Sequence, residues 1–125
     1  MTMIISNPNC GNSPKMAFLK DFNIAFAKND IPFLLKSVTD DIVWNMIGKQ
    51  KITGKENFAT ALEQMKDSKA KELVLEQILS HGKEGAANGI FKMTDGKNYA
   101  FSDFYLFKSA KGNQIKQITS YLIEV

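Results

Sequence analysis

The sequence predicts an α+β fold in which helices come first and a series of strands follows. Apolar residues recur at helical spacing in the first half of the chain and alternate with a period of two in the second half. Short turns containing Gly, Asp or Asn separate the later strands, and turns of this kind join antiparallel neighbours. We therefore expect a curved antiparallel sheet that three N-terminal helices wrap on one face.

Two helices, the second of them short, should open the domain, which we place at residues 14–125. Ser13 can cap a helix whose first position is Pro14, and Asp30 can cap a second helix with Pro32 in its first turn. The first helix should run to about Lys28, with an apolar stripe at Phe18, Leu19, Phe22, Ala25 and Phe26. Residues 1–13, which contain Asn, Pro, Gly and Ser, are predicted to form a flexible lead-in.

Alternating segments predict the strands. The first covers residues 42–47 and precedes a polar loop at 48–54, from which a third helix with Phe58, Ala61, Leu62 and Met65 follows. Further strands are expected at residues 72–81, 86–93, 98–108 and 114–125. Asp95-Gly96 is a strong hairpin signal, because Gly supplies the positive φ that a tight turn requires.

The strand at residues 98–108 carries the best functional clue. Its alternation places Asp103 on the same face as four aromatic residues, Tyr99, Phe101, Tyr105 and Phe107. A carboxylate among aromatic rings is costly unless it has a partner or a function. Since burial disfavours the charged form, we expect a raised pKa for Asp103 and a role as an acid or hydrogen-bond donor.

A second apolar face predicts self-association. Three helices can cover only one face of the sheet, and the uncovered face would form a larger apolar patch than soluble monomers usually expose. We expect a homodimer through this face. Its predicted members are Val74, Ile78, Ala86, Ile90, Ala100, Phe104, Leu106, Ile118 and Leu122.

Composition argues against several classes of protein. The net charge is only +3 and all 16 basic residues are lysine, whereas specific nucleic-acid recognition relies mainly on arginine. No apolar run approaches the roughly 18 residues of a membrane span and no secretory segment is evident, so we expect a cytoplasmic protein without membrane contact.

We also expect neither a metal site nor a cofactor. The chain has a single histidine, no clustered carboxylates and no Gly-rich phosphate loop. Cys10, the single cysteine, is interpreted as an incidental exposed thiol.

The succession of segments resembles the nuclear transport factor two-like superfamily, and within it the SnoaL-like group of small bacterial proteins. The resemblance rests on VTDDIVWNMIG after two helices and SDFYLFKSAKGNQIKQITSYLIEV at the end, and covers about residues 14–125. It implies a cystatin-like α+β barrel, a cone whose mouth opens into a pocket, usually in a dimer. Members of the superfamily include ketosteroid isomerases, polyketide cyclases, limonene epoxide hydrolases, dehydratases and non-catalytic modules, so the fold does not fix the function.

Only one of the three catalytic positions of the isomerases is matched by a suitable residue in this chain. Asp103 falls where their oxyanion-binding acid lies, but Phe22 falls at the tyrosine position and Asn45 or Met46 at the position of the base. Ketosteroid isomerase activity is therefore disfavoured. Epoxide hydrolase activity is disfavoured too, because its Asp–Arg–Asp group requires an arginine that this chain lacks.

Two functions remain open at this stage. In the first, the protein binds in its pocket a small apolar molecule with one hydrogen-bonding group near Asp103. Such a pocket could serve a cyclase, isomerase or dehydratase activity. In that hypothesis His81 is a weak second catalytic candidate, although a partly exposed histidine at a turn is the more ordinary interpretation. The predicted ligand-binding residues are Phe22, Trp44, Asn45, Tyr99, Phe101 and Tyr105. The second function is a non-catalytic dimeric module whose cone is filled by its own side chains.

Overall fold

The structure, a computed structural model, describes residues 2–125. Three helices and a curved, unclosed seven-stranded sheet make up an α+β fold, as the sequence predicts. The helices are α1 (Pro14–Lys28), α2 (Ile31–Lys36) and α3 (Lys55–Gln64). The strands are β1 (Met3–Ser6), β2 (Val38–Met46), β3 (Gln50–Thr53), β4 (Ala70–His81), β5 (Glu84–Met93), β6 (Asn98–Phe107) and β7 (Ile115–Glu124).

The sheet is mixed, so the prediction of a wholly antiparallel sheet is wrong in two places. In the order β1-β4-β5-β6-β7-β2-β3, β1 runs parallel to β4 and β2 runs parallel to β7. The later strands follow one another through short hairpins and are antiparallel. The two parallel pairs join strands that are distant in sequence, where no hairpin fixes the direction.

The lead-in prediction is corrected as well. Residues 3–6 form β1, which pairs with residues 72–75, and Cys10 is buried instead of exposed. Strand β3 likewise lies inside the segment predicted as a polar loop. Both missed strands are four-residue edge strands, too short to show a periodic pattern.

The helix starts are those that the sequence predicts. The Ser13 hydroxyl accepts a hydrogen bond from the Met16 amide at 3.2 Å, and Pro14 occupies the first turn of α1. Asp30 caps α2 through the Phe33 amide at 3.3 Å. None of the three helices, within residues 2–125, has the length and apolarity that crossing a bilayer requires.

The sheet has several register shifts, and two of these β-bulges bear on the side chains of the site and of the uncovered face. In β4 the pairing with β5 shifts between Leu75 and Gln77, and in β7 the pairing with β6 shifts between Ile115 and Gln117. One extra residue moves every later side chain of a strand to the opposite face. Beyond the β4 bulge, Ile78 is therefore buried and Leu79 is 62% exposed.

The prediction for the uncovered face is corrected accordingly. Ile78 and Ile118 are buried, and Leu122 pairs with the buried Phe101 on the concave side of the sheet, so these three do not belong to that face. Phe104, a predicted member, is exposed on this face, and Leu79, Tyr121 and Ile123 are further large, well-exposed apolar side chains on it. We name the side of the sheet that carries them the convex face.

Candidate functional site

A cavity of about 250 Å³ lies inside the cone, between the helices and the concave side of the sheet. Five of the six predicted ligand-binding residues line it: Phe22, Trp44, Tyr99, Phe101 and Tyr105. Asp103 lines it as well, on the face that the strand pattern predicts. Its wall is mostly apolar and also includes Asn23, Phe26, Met46, Lys49, Met65, Phe91, Met93, Ile118, Ser120 and Leu122.

Two predicted site residues lie elsewhere. Asn45 does not line the cavity, because it alternates with Trp44 and Met46, which do. His81 is exposed at the end of β4, on the side to which the bulge turns Leu79. The structure does not bring His81 to Asp103, and the suggested histidine–aspartate pair is a wrong prediction.

Asp103 is held in a chain of hydrogen bonds. The Tyr105 hydroxyl donates to Asp103 Oδ2 at 3.3 Å, and the Ser120 hydroxyl, directly opposite Asp103 in the pairing of β6 with β7, acts as a second donor that lowers the pKa of the carboxyl. Two further groups donate hydrogen bonds to these hydroxyls. Asn23 Nδ2 donates to the Tyr105 hydroxyl at 3.1 Å, and Trp44 Nε1 donates to Ser120 Oγ at 3.0 Å.

The two outer donors orient the two hydroxyls. A hydroxyl has one proton and two acceptor lone pairs. Because Tyr105 and Ser120 each accept from a group that can only donate at that atom, each has its own proton free for Asp103. The arrangement therefore offers two donors to an ionised carboxylate, and the remaining lone pairs of Asp103 are available to the cavity.

Burial and these hydrogen bonds act on the Asp103 pKa in opposite directions. Desolvation raises the pKa from an ordinary 3.8 to about 6, and the hydrogen bonds from Ser120 and Tyr105 keep it from rising further. This is the direction that the sequence predicts. Burial, together with the nearby Asp103 charge, raises the pKa of Tyr105 well above its usual value, so this hydroxyl stays protonated and keeps donating.

Aromatic contacts fix the wall around this network. The Phe22 ring meets the Tyr105 ring edge-on at 6.0 Å between centroids. Trp44 is held between Phe26 at 5.3 Å and the fully buried Phe58 at 5.5 Å. Edge-to-face pairs at these distances add to the burial energy and restrict ring motion.

Sequence reasoning missed several polar residues of the cavity, among them Asn23, Ser120 and Lys49. Asn23 had a readable signal, since it lies four residues after Leu19 within the apolar stripe of the first helix. No sequence pattern indicated Ser120, because its place opposite Asp103 depends on the bulge in β7. Lys49 belongs to a turn that was predicted only as part of a polar loop.

Solved structures share this fold. An NTF2-like protein of unknown function from Cytophaga hutchinsonii is 23% identical, with 86% of this chain and 97% of that chain covered and a TM-score of 0.67. A candidate SnoaL-like polyketide cyclase from Shewanella denitrificans is 12% identical, with coverages of 89% and 92% and a TM-score of 0.73. A bacterial protein with a cystatin-like fold from Silicibacter pomeroyi is 18% identical, with coverages of 90% and 76% and a TM-score of 0.70.

These likenesses establish the fold alone: the chain has the α+β fold that these NTF2-like, SnoaL-like and cystatin-like structures share. The sequence itself matches no protein-family model and no curated protein.

The arrangement is suited to moving a proton inside an apolar space. A carboxylate with a pKa near 6 is mostly ionised at pH 7, and this pKa lies close to the range that favours general acid–base catalysis.

Over the described part of the chain, no three His, Cys, Asp or Glu side chains come together as a set of metal ligands.

Proposed function

We propose that this protein binds a small apolar molecule in its cone and that Asp103 acts on it as a general base. The observation that carries the proposal is the position of Asp103, which faces an apolar cavity while two oriented hydroxyls stabilise its ionised form. Proton abstraction by such a group would serve a cyclase, an isomerase or a dehydratase alike.

The hydrogen-bond directions favour a base over the neutral donor expected from the sequence. A neutral carboxyl would have to place its own proton on an acceptor, but the nearest hydroxyls, Tyr105 and Ser120, are oriented as donors. The pKa of about 6 agrees with this, because it leaves Asp103 mostly charged near pH 7.

The size of the cavity limits the ligand. At about 250 Å³ it lies slightly below the range of roughly 300–1,000 Å³ that is usual for ligand pockets. A one- or two-ring molecule therefore suits it better than a larger one. The open space argues against the alternative of a cone filled by its own side chains.

Steroid isomerisation and epoxide hydrolysis are not part of this proposal. The resemblance puts Phe22 at the position of an isomerase's hydroxyl donor and Asn45 or Met46 at the position of its base, and Phe22 and Met46 line the cavity without a group for either role. Epoxide hydrolysis of the Asp–Arg–Asp type requires an arginine, which the sequence does not contain.

A chemical probe tests Asp103 as a base without knowledge of the natural substrate. Nitrobenzisoxazole is small and flat, and abstraction of its ring C–H proton breaks the N–O bond to give a coloured cyanophenolate. The carboxylate takes the proton and afterwards loses it to water. We expect the protein to accelerate this reaction, with a rate that rises with pH through about 6.

The matched variants are Asp103→Asn and Asp21→Asn. Removal of the base should lower the protein-dependent rate about a hundredfold, the lower end of the usual contribution of acid–base catalysis. Loss of the exposed carboxylate of Asp21 on α1 should leave the rate unchanged. Equal rates for the wild-type protein and Asp103→Asn would exclude Asp103 as the base.

We also propose that two copies associate through the convex face. Phe104 is 53% exposed and packs edge-on against Tyr121 at 6.2 Å between ring centroids, with Ile123 exposed in the same strand as Tyr121. Two such faces brought together about a two-fold axis would each cover the apolar side chains of the other.

Sedimentation equilibrium should therefore give twice the 14.0 kDa chain mass. Phe104→Asp should weaken the dimer about tenfold or more, because the added carboxylate loses water when the faces meet. Gln64→Glu, which adds the same charge at an exposed position of α3, should not. A wild-type monomer at micromolar concentration would contradict the proposal.

A further inference from the structure

We propose that Lys49 binds an anionic group of the ligand, and hence that the ligand is a small apolar acid. This inference rests on the proposed function and defines the substrate class of the same cavity. The acid would place its carboxylate at the mouth of the cone and a weakly acidic C–H or O–H group at Asp103.

The first support is the position of Lys49. It lies in the tight turn between β2 and β3, where Gly48 adopts a positive φ of 82°. The Lys49 amide donates to the Met46 carbonyl at 3.0 Å, and the Ile47 amide donates to the Ser120 carbonyl at 3.0 Å. The turn is thereby attached to β7 at Ser120, the residue that faces Asp103.

The second support is charge. Among the described residues that line the cavity, Lys49 and Asp103 are the two that carry a formal charge at pH 7. Lys49 forms no ion pair with any residue from 2 to 125, whereas Lys55 and Lys92 pair with Asp40 and Glu72. A cation at the rim of an apolar cavity, with no acidic partner of its own, matches an anionic ligand.

The third support is spacing. Asp103 on β6, Ser120 on β7 and Met46 on β2 are direct neighbours across three adjacent strands. Strands lie about 4.8 Å apart, so the backbones at Asp103 and Met46 are separated by roughly 10 Å. Lys49 follows Met46 by three residues, and its amide donates to the Met46 carbonyl. A ligand of roughly 10 Å in length, with a charged end and a proton-donating end, would therefore extend from Asp103 to the turn that carries Lys49. Trp44, Met46 and Ile118 supply apolar wall between them.

An exposed lysine on a turn often contacts only water, and the neighbouring Lys51 provides that comparison. Lys51 is also exposed and belongs to the same hairpin, but it does not line the cavity. The two lysines have the same charge and are both exposed, but Lys49 lies in the turn and lines the cavity, whereas Lys51 lies in β3 and does not, which makes Lys51 the matched control.

The test uses a pair of probes that differ in one charge. Para-hydroxyphenylpropanoate carries a phenol at one end and a carboxylate at the other, and para-hydroxyphenylpropanamide is its neutral counterpart. Binding to the intact protein is followed by isothermal titration calorimetry and by the fluorescence of Trp44, the single tryptophan, which lies in the cavity wall.

We expect the carboxylate to bind more tightly than the amide. Lys49→Gln should weaken carboxylate binding about threefold to fivefold, the size of an exposed ion pair, and leave amide binding unchanged. Lys51→Gln should affect neither probe. Added salt should reduce the preference for the carboxylate.

Three results would overturn the inference: no saturable binding of the carboxylate, equal affinities for the two probes, or equal effects of Lys49→Gln and Lys51→Gln. Failure of the proposed function would be seen separately. It would appear as an unchanged reaction of nitrobenzisoxazole in Asp103→Asn, a measurement that does not involve Lys49.

Discussion

Asp103→Asn should make the fold more stable at neutral pH relative to the wild-type protein, and the gain should disappear in acid. Burial raises the pKa of Asp103 from 3.8 to about 6, so the folded state holds a proton that the unfolded chain releases. The stability that this proton provides is complete below pH 3.8 and is lost as the pH rises through about 6. The asparagine amide stays neutral and does not incur this loss.

The expected size is about 3 kcal/mol, from 1.36 kcal/mol for each unit between the two pKa values. The measurement is urea unfolding of both proteins at several pH values between about 3.5 and 8. The difference in unfolding free energy between the variant and the wild type should grow by about that amount across the range. A difference that does not change with pH, or that favours the wild type as pH rises, would contradict the burial of this carboxyl.

Gly89→Ala should destabilise the protein by about 3 kcal/mol or more, because the added methyl group has no room. A Cβ atom at Gly89 would lie 1.9 Å from the Val74 carbonyl oxygen, which belongs to the backbone just before the β4 bulge. It would also lie 3.1 Å from the Phe101 ring in the cavity wall. Relief of the clash would require β4 and β5 to separate.

Gly11→Ala is the control, since no atom lies within 4 Å of a Cβ built there. Its effect on the midpoint of urea unfolding should be small, within about 0.5 kcal/mol in free energy. If Gly89→Ala unfolded at the same denaturant concentration as the wild type, the close approach of β4 and β5 would be wrong.

The sequence predicts the elements that a clear local signal defines. The caps at Ser13 and Asp30 and the turn at Asp95-Gly96 lie where they are expected, with Gly96 at a positive φ of 89°. The face of Asp103 is also predicted correctly, because β6 pairs with β5 along its whole length without a register shift. Local chemistry and strict alternation are sufficient for these features.

The bulges limit what alternation can predict. A single unpaired residue in β4 exchanges the faces of Ile78 and Leu79 and carries His81 away from the cavity. The signal that could have revealed this bulge is Gly89, because a glycine inside a strand often marks a bulge or a close backbone approach. The β7 bulge has no comparable marker in the sequence.

The site network depends on contacts across the fold. Trp44 and Ser120 are 76 residues apart, and Asn23 and Tyr105 are 82 residues apart. No local pattern specifies such a pair. The sequence could therefore predict a carboxyl group in an aromatic environment, but not the two donors that favour its ionised form.

The central claim is that Asp103 is a partly buried, desolvated carboxylate that ionises near neutral pH, and NMR titration of its carboxyl carbon tests this most directly. The spectrum of Asp103→Asn assigns the signal, and Tyr105→Phe removes one of the stabilising hydrogen bonds. We expect a pKa of about 6 in the wild-type protein and a higher pKa in Tyr105→Phe. A wild-type pKa of about 4 or lower, the ordinary range for aspartate, would contradict the account.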